Sequence, residues 1–206
     1  STMKKYLIVL GMLLSLTSFA EGNKVEVRGG IDLGQEFNHN YNNLKKDADF
    51  SYELAVEYRR EVIKNVELGV GLAYQDHGKV KTGNYNGYST EGDLYDSIPL
   101  YLTGRYTFKN SSEFTPYVKA NIGYSFNIND GTLKEKGVYG EVDYDVNAKD
   151  GFYYGLGLGV EYKGFIADLS YQVNYSDIED RNNSYLNSSK ADFQRVTLGL
   201  GYNFGF

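Results

Sequence analysis

From Asn23 to Phe206 the chain alternates apolar and polar residues with a period of two, in eight separate segments. Successive side chains of an extended strand point to opposite sides, so this pattern predicts strands whose two faces differ. In the first segment Val25, Val27, Ile31 and Leu33 share one parity, which Phe37 continues, against Glu26, Arg28, Asp32 and Glu36. The second sets Leu54, Val56 and Tyr58 against Glu53, Glu57 and Arg59, and the third sets Leu68, Val70 and Leu72 against Glu67, Gly69 and Gly71. Leu100, Leu102 and Tyr106 oppose Tyr101, Thr103 and Arg105 in the fourth. Four more segments follow the same rule, with Lys119, Glu161, Asp168 and Arg195 on their polar faces.

The apolar faces are aliphatic in the middle and often aromatic towards an end, and each segment reaches the roughly 9–11 residues of a tilted membrane strand. A soluble sandwich or lipocalin-like barrel also alternates, but its apolar face lacks recurrent terminal Tyr and Phe. Here Gly, Ser and Thr are interspersed among the charges, which suits a narrow polar interior. The links near 60–65, 109–115 and 163–164 are short, whereas those near 38–49, 76–96, 127–150 and 176–192 are long. Strict alternation of short and long links predicts short periplasmic turns at one end and long surface loops at the other. The expected fold is all-β, an antiparallel up-and-down transmembrane barrel of eight strands.

Residues 1–20 read as an export signal, with Ser1 and Thr2 preceding Met3. Lys4 and Lys5 lead into an apolar run, and Ser18 and Ala20 are the small residues that signal peptidase tests. The run is shorter than the roughly 20 residues needed to span as a helix, so cleavage after Ala20 is expected, leaving 21–206 as the barrel domain. A net charge of −6 at pH 7 argues against a nucleic-acid partner, and the absence of Cys excludes disulfides and thiolate metal sites.

The phrases Thr115-Pro116-Tyr117-Val118-Lys119-Ala120-Asn121-Ile122-Gly123-Tyr124-Ser125-Phe126, Tyr154-Gly155-Leu156-Gly157-Leu158-Gly159-Val160-Glu161-Tyr162 and Val196-Thr197-Leu198-Gly199-Leu200-Gly201-Tyr202-Asn203-Phe204 carry a resemblance. The chain resembles the small outer-membrane barrels grouped with the OmpA transmembrane domain, OmpX and the opacity proteins. That resemblance implies an integral protein of the outer membrane, in contact with its lipid and lipopolysaccharide. Tyr202, Phe204 and Phe206 resemble the signal read by the barrel assembly machinery. No periplasmic peptidoglycan-binding domain is expected after Phe206.

Glu26, Arg28, Asp32, Glu53, Glu57, Arg59, Glu67, Arg105, Lys119, Glu161, Asp168 and Arg195 are expected to form a network of paired charges filling the lumen. Tyr41, Tyr85, Tyr88, Tyr139, Tyr144 and Tyr185, with Asn, Ser and Gly around them, give the loops a composition suited to recognising host or cell-surface ligands. Val138, Val142, Tyr144 and Val146 keep the parity of the following strand, which predicts that strands five and six project as a hairpin beyond the membrane, with an edge open to a partner strand. Asp143, Asp145 and Asp150 could attract a divalent cation, though without the spacing of a calcium loop. His39 and His77 fall in predicted surface loops, where a solvated histidine is the ordinary outcome. His77 beside Asp76, with Ser89 in the same loop, is too sparse a set for acyl transfer. The sequence thus reads as a non-enzymatic barrel without cofactor or metal, serving envelope integrity or adhesion. A narrow porin is the alternative, and a lipid-modifying enzyme a more remote one.

Overall fold

A computed structural model describes residues 22–39, 51–81, 89–93, 96–128, 131–137, 140–148, 150–180 and 189–206. The export segment, with Ser18 and Ala20, lies outside these residues, as do Tyr41, Tyr85, Tyr88, Tyr139 and Tyr185. The strands are β1 (Asn23–His39), β2 (Tyr52–Ile63), β3 (Val66–Asp76), β4 (Lys79–Lys81), β5 (Ser89–Asp93) and β6 (Asp96–Thr107). After them come β7 (Phe114–Ile128), β8 (Gly131–Gly137), β9 (Gly140–Ala148), β10 (Gly151–Tyr162), β11 (Phe165–Asp180) and β12 (Ser189–Gly205).

Eight of these strands close a barrel. The order is β10-β7-β6-β3-β2-β1-β12-β11, with β11 returning to β10, and every pairing is antiparallel. Closure satisfies the backbone groups that an open sheet would leave unpaired in hydrocarbon. At the seam Asn23 N–H donates to Phe206 O at 3.2 Å, and Phe206 N–H donates to Asn23 O at 2.9 Å. The same end carries the tight turns. Lys163 and Gly164 both have positive φ (48° and 87°), the geometry of a two-residue hairpin that follows strand twist. Asn65 (φ 67°) turns β2 into β3, and the Asn110 side chain accepts from Ser112 N–H in the β6–β7 link.

The apolar parity faces outward. Leu54, Leu102, Leu156, Leu158 and Leu200 are each about 60% exposed, a large penalty in water and the favoured state against lipid tails. Aromatic pairs flank this aliphatic band. Phe165 with Tyr202, and Tyr202 with Phe204, lie at the turn end; Tyr52 with Tyr74, and Tyr154 with Tyr175, lie at the other.

Beyond the band the long connections are not simply loops. β9 pairs with the upper part of β11, β8 with β9, β5 with β8, and β4 with β5. Each of these strands continues the wall above the barrel, and the hairpin there is made by the separate strands β8 and β9 rather than by extensions of the fifth and sixth barrel strands, β7 and β10. Both of its sides are occupied, by β5 and β11. The outer edges of this upper wall, among the described residues, are β4 and the part of β1 above Ile31, where pairing with β2 ends.

Two one-residue irregularities overturn parts of the expected parity. In β1 the register shifts between Asp32 and Gly34, so Leu33 is a bulge, and Phe37 comes into register with Phe193 rather than continuing the outward stripe. Between β10 and β9 the register slips as well. Tyr153 faces Asn174 and Ala148 faces Ile178, five residues along one side against four along β11. Asp150 sits in that step and accepts from Asn127 N–H at 2.8 Å. Paired residues share a sheet face. By register, positions 142, 144 and 146 of β9 therefore share the sheet parity of positions 178 and 180 of β11, one step out from the even positions of β10.

The opposite parity of these strands holds charged residues in register. In register across β4, β5, β8 and β9 stand Lys81, Glu91, Lys134 and Asp143, a row of alternating sign. Lys79 stands opposite Asp93, Lys136 opposite Glu141, and Lys190 opposite Asp177.

Candidate functional site: the charged lumen and its outer mouth

The polar parity of the barrel strands places Glu26, Arg28, Glu53, Glu57, Arg59, Glu67, Arg105, Lys119, Asp168 and Arg195 in the interior, each no more than 5% exposed. Towards the turn end Arg59 donates to Glu57 at 2.5 Å, to Glu26 at 2.6 Å and to Glu67 at 3.3 Å. Lys24 reaches Glu67 at 2.5 Å from the rim. Arg105 bridges Glu161 and Glu26, and its guanidinium lies 3.7 Å from the Tyr117 ring centroid, a cation–π contact out of water.

At mid-height Arg28 donates to Asp168 and to Glu53, both at 3.2 Å, while Lys119 lies between Glu57 (3.4 Å) and Asp168 (3.5 Å). Tyr101 and Tyr117 donate to Glu57 and Asp168. These tyrosines were visible on the polar parity of β6 and β7, and their rings need glycine beneath them. A Cβ at Gly71 would collide with the Tyr101 ring, and one at Gly159 with the Tyr117 ring.

Above this, Asp32 accepts from Ser51 and Thr197, and Gln172 accepts from Tyr153 and Arg195. Each buried base touches at least two carboxylates, so within the described residues none is spare to hold an anion. Removing one member would leave its partners as uncompensated buried charge.

The outer mouth holds a group that the sequence placed wrongly. His77 is not a solvated loop residue but fully buried. Its Nε2 is 2.7 Å from Ser97 Oγ, its Nδ1 is 3.1 Å from Arg195 Nη1, and its ring centroid is 4.2 Å from that of Phe193. Arginine can only donate, so Nδ1 is the acceptor and the proton of the neutral ring sits on Nε2. Ser97 in turn bonds Asn127 at 2.7 Å. Nothing in local sequence pattern announces this, because Ser97, Asn127 and Arg195 come from three distant strands.

The sequence profile described as "Outer membrane protein beta-barrel domain" matches residues 6–204. The chain belongs to this outer-membrane β-barrel family. An uncharacterised protein of Pasteurella multocida strain Pm70 is 30% identical over 229 residues, covering 96% of this chain and 97% of the relative. Among solved members of the fold, OprG of Pseudomonas aeruginosa superposes with a TM-score of 0.51 at 14% identity, covering 89% of this chain and 96% of that one. Ail of Yersinia pestis gives 0.48 at 18% identity, covering 90% and 100%. Membership in the family places this barrel in the outer membrane. Within the described residues no group of three or more His, Cys, Asp and Glu side chains could hold a metal ion.

Proposed function

We propose that this protein is a sealed, non-enzymatic outer-membrane barrel that holds a structured β-wall above the lipid for envelope integrity and surface interaction, adhesion included. The observation that carries this reading is the charge network spanning the lumen from Arg105 to Arg195, with its arginines and tyrosines buried at every level. An eight-stranded barrel has an interior just wide enough for such side chains, so the network is a plug. The host- or cell-facing partner then meets the upper wall and the connections around it, with lipopolysaccharide beside the band. Export proceeds with cleavage after Ala20, and insertion through the assembly machinery with Tyr202, Phe204 and Phe206 as the signal.

The one histidine–serine pair in the described interior supports the non-enzymatic reading. A nucleophilic serine needs an unprotonated imidazole nitrogen facing it and an acid behind the ring. At Ser97 the facing nitrogen carries the proton, and the group behind is Arg195.

Planar-bilayer recording of refolded protein, combined with cell-binding assays on variants lacking 131–148, tests the proposal. A silent bilayer and lost binding are expected. Steady solute-dependent conductance with unchanged binding would replace it with the narrow-porin reading.

A further inference from the structure

We propose that the tip of the β2–β3 hairpin is a binding site for an anionic phospholipid, with Arg60 and Lys64 on the phosphate of the headgroup and Val62 and Ile63 against its chains. This site rests on the barrel spanning a bilayer, and on nothing about the upper wall or what meets it.

The outward parity of β2 runs Leu54, Val56, Tyr58 and Arg60, and Arg60 is in register with Leu68 of β3. Paired residues share a sheet face, so this arginine stands on the lipid-facing side beside a leucine that is 52% exposed. The register then shifts between Glu61 and Ile63, and the bulge at Val62 brings Ile63 opposite Val66 on that same face. Val62 is 51% exposed, and Ile63 is 67% exposed, more than any leucine of the band. Such an apolar tip is costly in water and favoured at the boundary between headgroups and acyl chains.

The charges set this hairpin apart from the other two short links. Lys109 of the β6–β7 link reaches Glu61 at 3.7 Å, and Lys163 of the β10–β11 turn reaches Glu113 at 3.7 Å. Glu67, at the same end, is held in the lumen by Arg59 and Lys24. Arg60 and Lys64 are exposed and have no acidic partner among the described residues. Arginine stays charged in any surroundings, so on a lipid-facing strand its guanidinium has to reach a headgroup. There its planar fork matches two phosphate oxygens, and the flexible lysine adds a second positive charge. A zwitterionic headgroup brings its own ammonium to these cations, whereas an anionic one brings only negative charge. The preference is therefore for the anionic lipid, and it weakens with salt.

Tryptophan fluorescence tests this directly, because the chain contains no Trp. In lipid nanodiscs, Ile63→Trp is expected to be quenched by lipids with brominated chains and spared by acrylamide in the water. In mixed nanodiscs, brominated phosphatidylglycerol should quench it with an apparent affinity about five-fold or more above that of brominated phosphatidylcholine, the factor one cation contributes beside an anionic surface. Adding Arg60→Gln and Lys64→Gln should abolish that preference, and high salt should shrink it. Equal quenching by the two lipids, or a preference that survives the loss of both cations, would overturn the site. So would acrylamide quenching as strong as that of Ser111→Trp in the β6–β7 link, which would leave the tip to a soluble partner. Leu156→Trp, in the middle of the band, separates this claim from the barrel itself. Both brominated lipids should quench it alike, and no quenching there would overturn the membrane-spanning barrel together with the site. Every variant is checked for folding by its heat-modifiable gel mobility.

Discussion

The barrel and the wall above it are the same sheet with opposite parity. Within the band, leucines face outward and arginine–glutamate clusters are buried; above it, positions 142, 144 and 146 share the parity of positions 178 and 180 of β11, and the charged rows stand on the other. The inversion follows the solvent. Lipid accepts leucine and refuses charge, whereas water does the reverse. A one-residue step suffices to make the change, because the side-chain period is two and any single insertion exchanges the faces. Leu33 makes that step in β1, and the 148–151 junction makes it in the third connection.

Breaking the lower half should cost most. Arg59→Met strands Glu26, Glu57 and Glu67 without their shared cation, and should lower stability by about 3–5 kcal/mol in urea titrations followed by gel mobility. A loss below about 1 kcal/mol would mean that the lumen charges are already hydrated. Next in size is Leu156→Arg in the middle of the lipid band, expected to cost about 2–4 kcal/mol in the same titration. Ser111→Arg, exposed in the short link between β6 and β7, should change stability by less than about 0.5 kcal/mol. Equal effects at the two sites would contradict the proposed boundary between lipid and water.

Val146→Pro, which removes a ladder N–H between Gly131 and Asp180, should weaken the upper wall by about 1–3 kcal/mol, seen as protease cleavage within 131–148 while the barrel keeps its gel mobility. The pH response should be smaller still near neutrality. His77 is held below its unfolded value, so folding stability is constant above about pH 6.5 and falls as pH drops below it, by at most about 1.4 kcal/mol per pH unit from this one group. His77→Gln should flatten that part of the profile. The smallest effect belongs to Asp143→Ala, at the position opposite Lys134 in the β8–β9 ladder, which should cost under about 1 kcal/mol.

The strands of the barrel were legible because lipid imposes one rule on every outward residue from Val27 to Phe204. Their order follows from short and long links, and Tyr101 and Tyr117 declare themselves by standing on the polar parity. The upper strands were less visible. Lys79–Lys81 is too short to show a period, and the slip beside Asp150 reverses the parity of a hairpin that the sequence assigns to the barrel strands themselves. His77 was hidden for another reason. Its burial depends on Arg195 and Phe193, which are more than 110 residues away, and composition around a loop histidine carries no trace of what closes over it.

The seam between β1 and β12 has a consequence for how the cylinder is made. It is a long ladder, from Lys24 opposite Gly205 to His39 opposite Ala191, and it joins the first and last of the described strands. Every other barrel junction links closer neighbours along the backbone, so this ladder alone decides whether a growing ribbon becomes a ring. A chain cut short within β12 would present two raw edges to the bilayer instead of one joint. The ladder thereby acts as a closure check, in which only a polypeptide carrying both β1 and β12 in full can hide its own edges.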